Sequence, residues 1–206
     1  MSENLIFHKK EGGVNKKIER GLSLIEAAMV LALSAVVVAG VLYYYAVAAA
    51  SNDNQKITEL IETIVSKVNA LYANQSTTTG LSTEMIAKQI PGVKVTQPSF
   101  SSREVFMVVP GPHAGIIAVR GTFDNDNTYS IAYYNTDGSA SVDEIYSQCM
   151  ALTGGQYGSS FISYRNSYFA ETYGVHFNQN IKERSAFCQK QKPGYAESNI
   201  FLKFRT

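Results

Sequence analysis

The sequence predicts an α+β fold: a long N-terminal helix whose first half is apolar all round and whose second half packs on a head built around an antiparallel sheet. Three observations predict it. From Ala27 to Ala50 there are 24 residues without a charge. The stretch that follows keeps its apolar residues at 3- and 4-residue steps. Short β-branched and aromatic runs, separated by Gly, Pro, Asn and Asp, fill the middle and the end of the chain.

The 206 residues suffice for one modest domain and an appendage. A net charge of +1 gives no broad basic field, so no nucleic-acid partner is predicted. Locally the charge is uneven. Up to Gly21 the chain carries Lys9, Lys10, Lys16, Lys17 and Arg20 against Glu3, Glu11 and Glu19, which leaves +2 there and −1 over the remainder of the chain. Basic residues before an apolar span favour keeping that end in the cytoplasm, so the body is expected outside the inner face of a membrane.

As a helix, the uncharged run covers about 36 Å, enough to cross a hydrocarbon core of about 30 Å. Tyr43, Tyr44 and Tyr45 fall toward its outer end, where amphipathic rings favour the interface. A cleaved secretory signal would end in an Ala-x-Ala-like site near Ala48 to Ala50, but its apolar core is ordinarily only about 7–15 residues. A buried globular helix would need more chain around it than remains.

Beyond Ala50, Ile57, Leu60, Ile61, Ile64, Val68, Leu71 and Tyr72 form one stripe, with Lys56, Glu59, Glu62, Lys67 and Asn69 mostly elsewhere on the wheel. No proline occurs between Gly21 and Ile90, so one helix of about 50 residues is expected, with Gly40 its weakest point at a cost of about 1 kcal/mol relative to Ala. "STTTG" (76–80) reads as a loop, and "LSTEMIAKQIPG" as a short helix ended by Pro91-Gly92. "REVFMVV" (103–109), "GIIAVRGTF" (115–123) and "YSIAYYN" (129–135) read as strands, and their short links suggest antiparallel neighbours. Asp137-Gly138 marks a turn. Ser141 and Glu144 stand at capping-box spacing before a helix with Val142, Ile145, Cys149 and Leu152 on one face. The tyrosine-rich stretch from Phe161 to Phe177 reads as strand or irregular chain. "NIFLKFRT" reads as a last strand with Ile200, Leu202 and Phe204 on one side. The two cysteines, Cys149 and Cys188, are expected to pair in an oxidising compartment, closing a loop of about 40 residues for about 4 kcal/mol; the other reading is two buried thiols.

The stretch "RGLSLIEAAMVLALSAVVVAG" resembles the N-terminus of type IV prepilins: a basic leader ending in Gly21, a hydrophobic first mature residue at Leu22, and Glu26 at the fifth mature position. Strict similarity covers roughly residues 17–50. The extended helix, antiparallel sheet and late cysteine pair are also pilin-like. The long leader, Leu at position 22 and the 38 residues between the cysteines are similar to the type IVb subclass of bundle-forming and other enteric pilins. Tyr43 stands where type IVa pilins commonly carry a helix-kinking proline.

The resemblance implies a three-part organisation: a leader over 1–21, a transmembrane and assembly helix over 22–50, and a periplasmic or extracellular head over 51–206. It implies cleavage between Gly21 and Leu22 by a membrane prepilin peptidase, and N-methylation of Leu22. It also implies an assembly salt bridge between the Leu22 amine of one subunit and Glu26 of another, since either charge alone is costly in an apolar setting. The implied partners are further copies of the chain in a homopolymeric fibre, the inner-membrane pilus assembly machinery, the inner membrane itself before assembly, and a surface receptor on a host or recipient cell. The implied location is the inner membrane, as a single-pass protein, and then the extracellular pilus of a Gram-negative bacterium. A minor pilin or a secretion-system pseudopilin acting as piston or initiator is the competing role.

Other chemistry is weakly signalled. Asp124, Asp126 and Thr128 faintly resemble a calcium loop but lack the Gly and Glu such a loop needs. His8, His113 and His176 have no metal-ligand spacing, and no nucleophile-elbow or phosphate-loop pattern occurs. No catalytic residue, metal or cofactor is predicted, and no enzymatic activity.

Overall fold

The computed structural model describes residues 24–99, 101, 104–111, 115–121, 127–136, 140–166, 180–191 and 199–206. Helix α1 runs over Leu24–Tyr72 without a break at Gly40. The sequence allows this because no proline interrupts the backbone ladder, and Ala, Leu and Val fill most of the first part. The chain divides into two compact units, Met1–Tyr44 and Tyr45–Thr206.

In the first unit the described part is helix alone. Its large apolar side chains, Leu24, Ile25, Met29, Val30, Leu31 and Leu33 among them, are all exposed. By length and composition α1 can cross a membrane.

The second unit holds the sheet. Its elements in order are α2 (Thr83–Ala87), β1 (Lys94–Thr96), β2 (Phe106–Val108), β3 (Ile116–Gly121), β4 (Thr128–Tyr134), α3 (Val142–Thr153), a 3₁₀ turn (Gly158–Ser160), β5 (Phe161–Asn166), α4 (Ile181–Cys188) and β6 (Ile200–Arg205). The six strands are ordered β1-β2-β3-β4-β6-β5, and every neighbouring pair is antiparallel. The C-terminal strand thus sits inside the sheet, paired with β4 through Ile131↔Leu202 and Tyr129↔Phe204.

The amphipathic stripe of α1 packs on one sheet face. Ile57, Ile61, Ile64, Val65 and Val68 join Met107, Ile117, Val119, Ile131, Leu202 and Phe204 in one core. Each such isoleucine or leucine contributes about 2–3 kcal/mol on burial. Val65 belongs to the buried stripe, whereas Leu71 in the last turn of α1 and Val142 at the first position of α3 are exposed. Both fall on the predicted faces, but the core takes Tyr72 rather than Leu71 from the last turn of α1. On the other sheet face, Phe106, Ile116, Ala118 and Ala132 form a second cluster. Strand β3 is therefore buried on both sides over Ile116–Val119, which explains why "IIAV" does not alternate. Arg165 lies over the Phe201 ring at 5.1 Å.

The caps of α2 and α3 follow the local sequence. Ser82 caps α2 by accepting from the Met85 N–H. At α3, the Ser141 hydroxyl accepts from the Glu144 N–H while the Glu144 carboxylate accepts from the Ser141 N–H. Three elements have no separate prediction: β1, the 3₁₀ turn and α4. The predicted turn at Asp137-Gly138 lies outside the described residues.

Candidate functional site

The predicted site residues fall at two places. At the N-terminal end, Gly21 and Leu22 lie outside the described residues. Glu26 is in the first turn of α1 and exposed to solvent. The next described charge along α1 is Asp53, so Glu26 stands at the head of a long uncharged surface.

The second place joins α3 to α4. Cys149 and Cys188 are bonded, with Cα atoms 5.6 Å apart, and both are buried. The surroundings hold the same two helices together. The Thr153 hydroxyl of α3 lies 3.9 Å from the Cys188 Sγ of α4, and the Tyr146 and Ser185 hydroxyls meet at 3.0 Å. The Arg184 guanidinium donates to the Met150 carbonyl at 3.3 Å, in the last turns of α3. Phe187 packs on Tyr164 of β5 with ring centroids 4.7 Å apart.

Residues that sequence reasoning did not single out join α1 to its neighbours within the second unit. Asp53 is a buried carboxylate, 4% exposed, and accepts from the Lys56 ammonium at 3.3 Å. Gly111 closes over it: its φ is +150°, and a Cβ there would lie 2.6 Å from the Asp53 Oδ1. Asn54 donates to the Ser147 hydroxyl at 2.7 Å, tying α1 to α3. Two helical turns of α3 away from the cap, Gln148 Oε1 accepts from both the Tyr133 hydroxyl at 3.2 Å and the Asn135 amide at 3.1 Å. The polar run "SNDNQ" (51–55) gave no sign of which of its members would be buried, because burial is decided by a loop and a helix far along the chain.

The electrostatics of the second unit are governed mainly by burial. Burial pushes the Tyr129 and Tyr157 hydroxyls well above the usual tyrosine range, with the Glu62 carboxylate adding to the effect at Tyr157. Tyr72 and Tyr164 are raised mainly by burial as well. At Arg120, burial works against the charge, but the hydrogen bond to Glu104 and the nearby Tyr134 and Glu104 charges outweigh it and leave the guanidinium pKa raised. Glu84 is lowered by its hydrogen bond to Lys88 on the helix surface. Among the described residues no group of three or more His, Cys, Asp or Glu side chains is placed to hold a metal ion. Asp124, Asp126, His8, His113 and His176 lie outside the described residues.

Over 73 residues the chain is 47% identical to the major structural subunit of bundle-forming pilus of Escherichia coli O127:H6, and equally to the subunit of the same name from Escherichia coli O111:H-. The match covers 35% of this chain and 38% of each relative. No family model matches the chain, and no solved structure matches it.

Proposed function

We propose that the chain is a structural subunit of a pilus of the type IVb kind, built to polymerise through α1 and to display the sheet-bearing unit on the fibre surface. The observation that carries this is the contrast within α1: an apolar length exposed on every side, followed by a stripe buried against the sheet. A helix exposed and apolar all round requires lipid or other helices about it. The 47% identity to a major structural subunit of bundle-forming pilus supports the same reading.

In this reading the peptidase removes residues 1–21, and Leu22 becomes a methylated, cationic N-terminus. The apolar helix waits in the inner membrane. The assembly machinery then transfers it into a bundle of identical helices, where the Glu26 carboxylate of one copy meets the Leu22 amine of another. Neither charge is left alone in apolar surroundings. A receptor on a host or recipient cell would meet the outer surface of the heads.

Two measurements test the reading. Mass spectrometry of the mature protein should find an N-terminus at methylated Leu22; a chain that starts at Met1 or Ser51 overturns it. Glu26→Ala should be cleaved normally but should lower filament yield at least tenfold in sheared surface preparations. Filament yield at the wild-type level would remove the Leu22–Glu26 pairing.

A further inference from the structure

One face of the sheet receives the stripe of α1, and α3 and α4 send Cys149, Leu152, Phe187 and Cys188 into the same core. On the opposite face, Phe106, Ile116, Ala118 and Ala132 form the apolar cluster on β2, β3 and β4. Toward β6 and β5 that face changes character. Lys203 stands opposite Ser130 of β4 on one side and Ser163 of β5 on the other. Arg205 lies two residues further along β6, opposite Thr128, and Arg165 of β5 pairs with Phe201, two residues before Lys203. The three cations therefore follow one line along the strands, in steps of about 7 Å for two residues.

Arg165 and Arg205 are exposed and Lys203 is half-buried, and none of the three has an ion-pair partner among the described residues. Strands β4, β5 and β6 contain no Asp or Glu. Toward the β2–β3 side, Glu104 is bound to Arg120 and Glu84 to Lys88, so neither acid is free to neutralise the line. Asp143, Glu144 and Glu183 ride on α3 and α4, which pack on the other face. The Arg165 guanidinium is held over the Phe201 ring, which fixes one end of the line.

We propose that this line binds a linear acidic polysaccharide laid along β6. Its sulfate or carboxylate groups meet Arg165, Lys203 and Arg205, and its hydroxyls meet Ser130 and Ser163. Evenly spaced, unpaired cations are the complement of a polymer whose acid groups recur along an extended chain. Nucleic acid is served less well. Single strands stack their bases on free aromatic faces, whereas Phe201 lies under Arg165 and Tyr134 packs edge-on against Phe106 and Phe201. A duplex calls for a broad basic field, and the chain as a whole carries only +1. One patch binds weakly because exposed charges are screened by salt, but a polymer that reaches several heads of one filament gains by multivalency. That gain rests on the fibre reading above; the patch itself belongs to the second unit.

The test runs the full-length chain, in neutral detergent, over immobilised heparin with a rising salt gradient. Lys9, Lys10, Lys16, Lys17 and Arg20 are also basic, so the readout compares two pairs of substitutions that remove equal charge. Lys203→Gln with Arg205→Gln should elute at about half the wild-type salt concentration or less. Lys94→Gln with Lys182→Gln, which removes two exposed lysines elsewhere, should elute less than about a fifth below wild type. Lys203→Arg with Arg205→Lys keeps both charges and should elute with wild type, which separates lost binding from lost fold. Equal shifts in the two charge-removing pairs overturn the proposal, as does a wild-type chain that passes straight through. Retention on duplex DNA to a higher salt concentration than on heparin overturns it in favour of a nucleic acid. Sheared filaments that carry the wild-type chain should in addition sediment with soluble heparin at least tenfold better than filaments with Lys203→Gln and Arg205→Gln. If no filament carries the chain, the fibre reading fails, and the column still decides for or against the patch.

Discussion

At the scale of single residues, the head is held by buried tyrosines whose hydroxyls are unequally served. Tyr133 shares Gln148 with Asn135, and Tyr129 donates to Asn69 at 3.3 Å. The Tyr157 hydroxyl is buried against Gly155 and has no hydrogen-bond partner among the described residues. A buried hydroxyl without a partner costs about 1–3 kcal/mol that an apolar ring would not. Tyr157→Phe keeps the ring contacts with Phe161 and Phe204 and removes that cost. It should therefore raise the urea midpoint, by the equivalent of about 1–3 kcal/mol of stability, and a clear loss would show that the hydroxyl is satisfied. The same residue sets a pH signature. Its folded pKa lies above its unfolded one, so below pH 10 both states are protonated and its contribution is fully present. Above pH 10 the unfolded chain loses the proton first, and stability falls by up to about 1.4 kcal/mol per pH unit for each such tyrosine. Tyr129 acts in the same direction. Urea midpoints between pH 9 and 11.5 should fall with rising pH, and Tyr157→Phe should make the fall shallower. A slope identical to wild type would contradict this.

At the scale of elements, the contrast between α3 and α4 shows what local sequence can and cannot carry. The start of α3 was legible because a capping box is a four-residue signal that needs nothing from the rest of the fold. Strand β6 was legible through strict alternation, and Ile200, Leu202 and Phe204 are the buried positions. Helix α4, "IKERSAFC", has no apolar periodicity: Ile181 is exposed, and only Phe187 and Cys188 at its end are buried. What holds it is tertiary, namely the bond to Cys149, the Arg184 contact with Met150 and the Phe187–Tyr164 ring contact. Strand β1 escaped notice for a related reason. Three residues, Lys94–Thr96, become a strand because β2 offers them a ladder. The dependence of α4 on its anchor makes a prediction about where instability appears. Cys149→Ser removes loop-closure restraint worth about 4 kcal/mol in the chain-entropy model. It should lower global stability by about 2–4 kcal/mol and, in native-state hydrogen exchange, open 181–191 well before β4 and β6. Equal protection loss across the head would mean that α4 folds on the strength of its own contacts.

At the scale of the whole molecule, the proposed cleavage and assembly roles of Gly21, Leu22 and Glu26 rest on a junction, an offset and an apolar run, a pattern that is read without tertiary structure. The buried Asp53 and its cover by Gly111 depend on chain segments nearly 60 residues apart, so no local pattern could announce them. The division into two units carries its own consequence. The core of the second unit begins at Ile57, and none of the residues from Leu24 to Tyr44 is buried. The apolar length of α1 exposes the large side chains that make the full chain require lipid, detergent or other copies. A chain of residues 45–206 should be soluble without detergent, form the Cys149–Cys188 bond, and unfold in one cooperative transition with near-ultraviolet circular dichroism typical of packed tyrosines. The few residues ahead of Asp53 should fray, since an exposed helical end has no packing to hold it. The same chain should form no filaments, even at concentrations where the full-length protein does so, because it lacks the apolar length of α1 through which the subunits are proposed to polymerise. Aggregation of the truncated chain, or loss of its near-ultraviolet signal, would show that the head takes part of its stability from the apolar helix and that the two units fold as one.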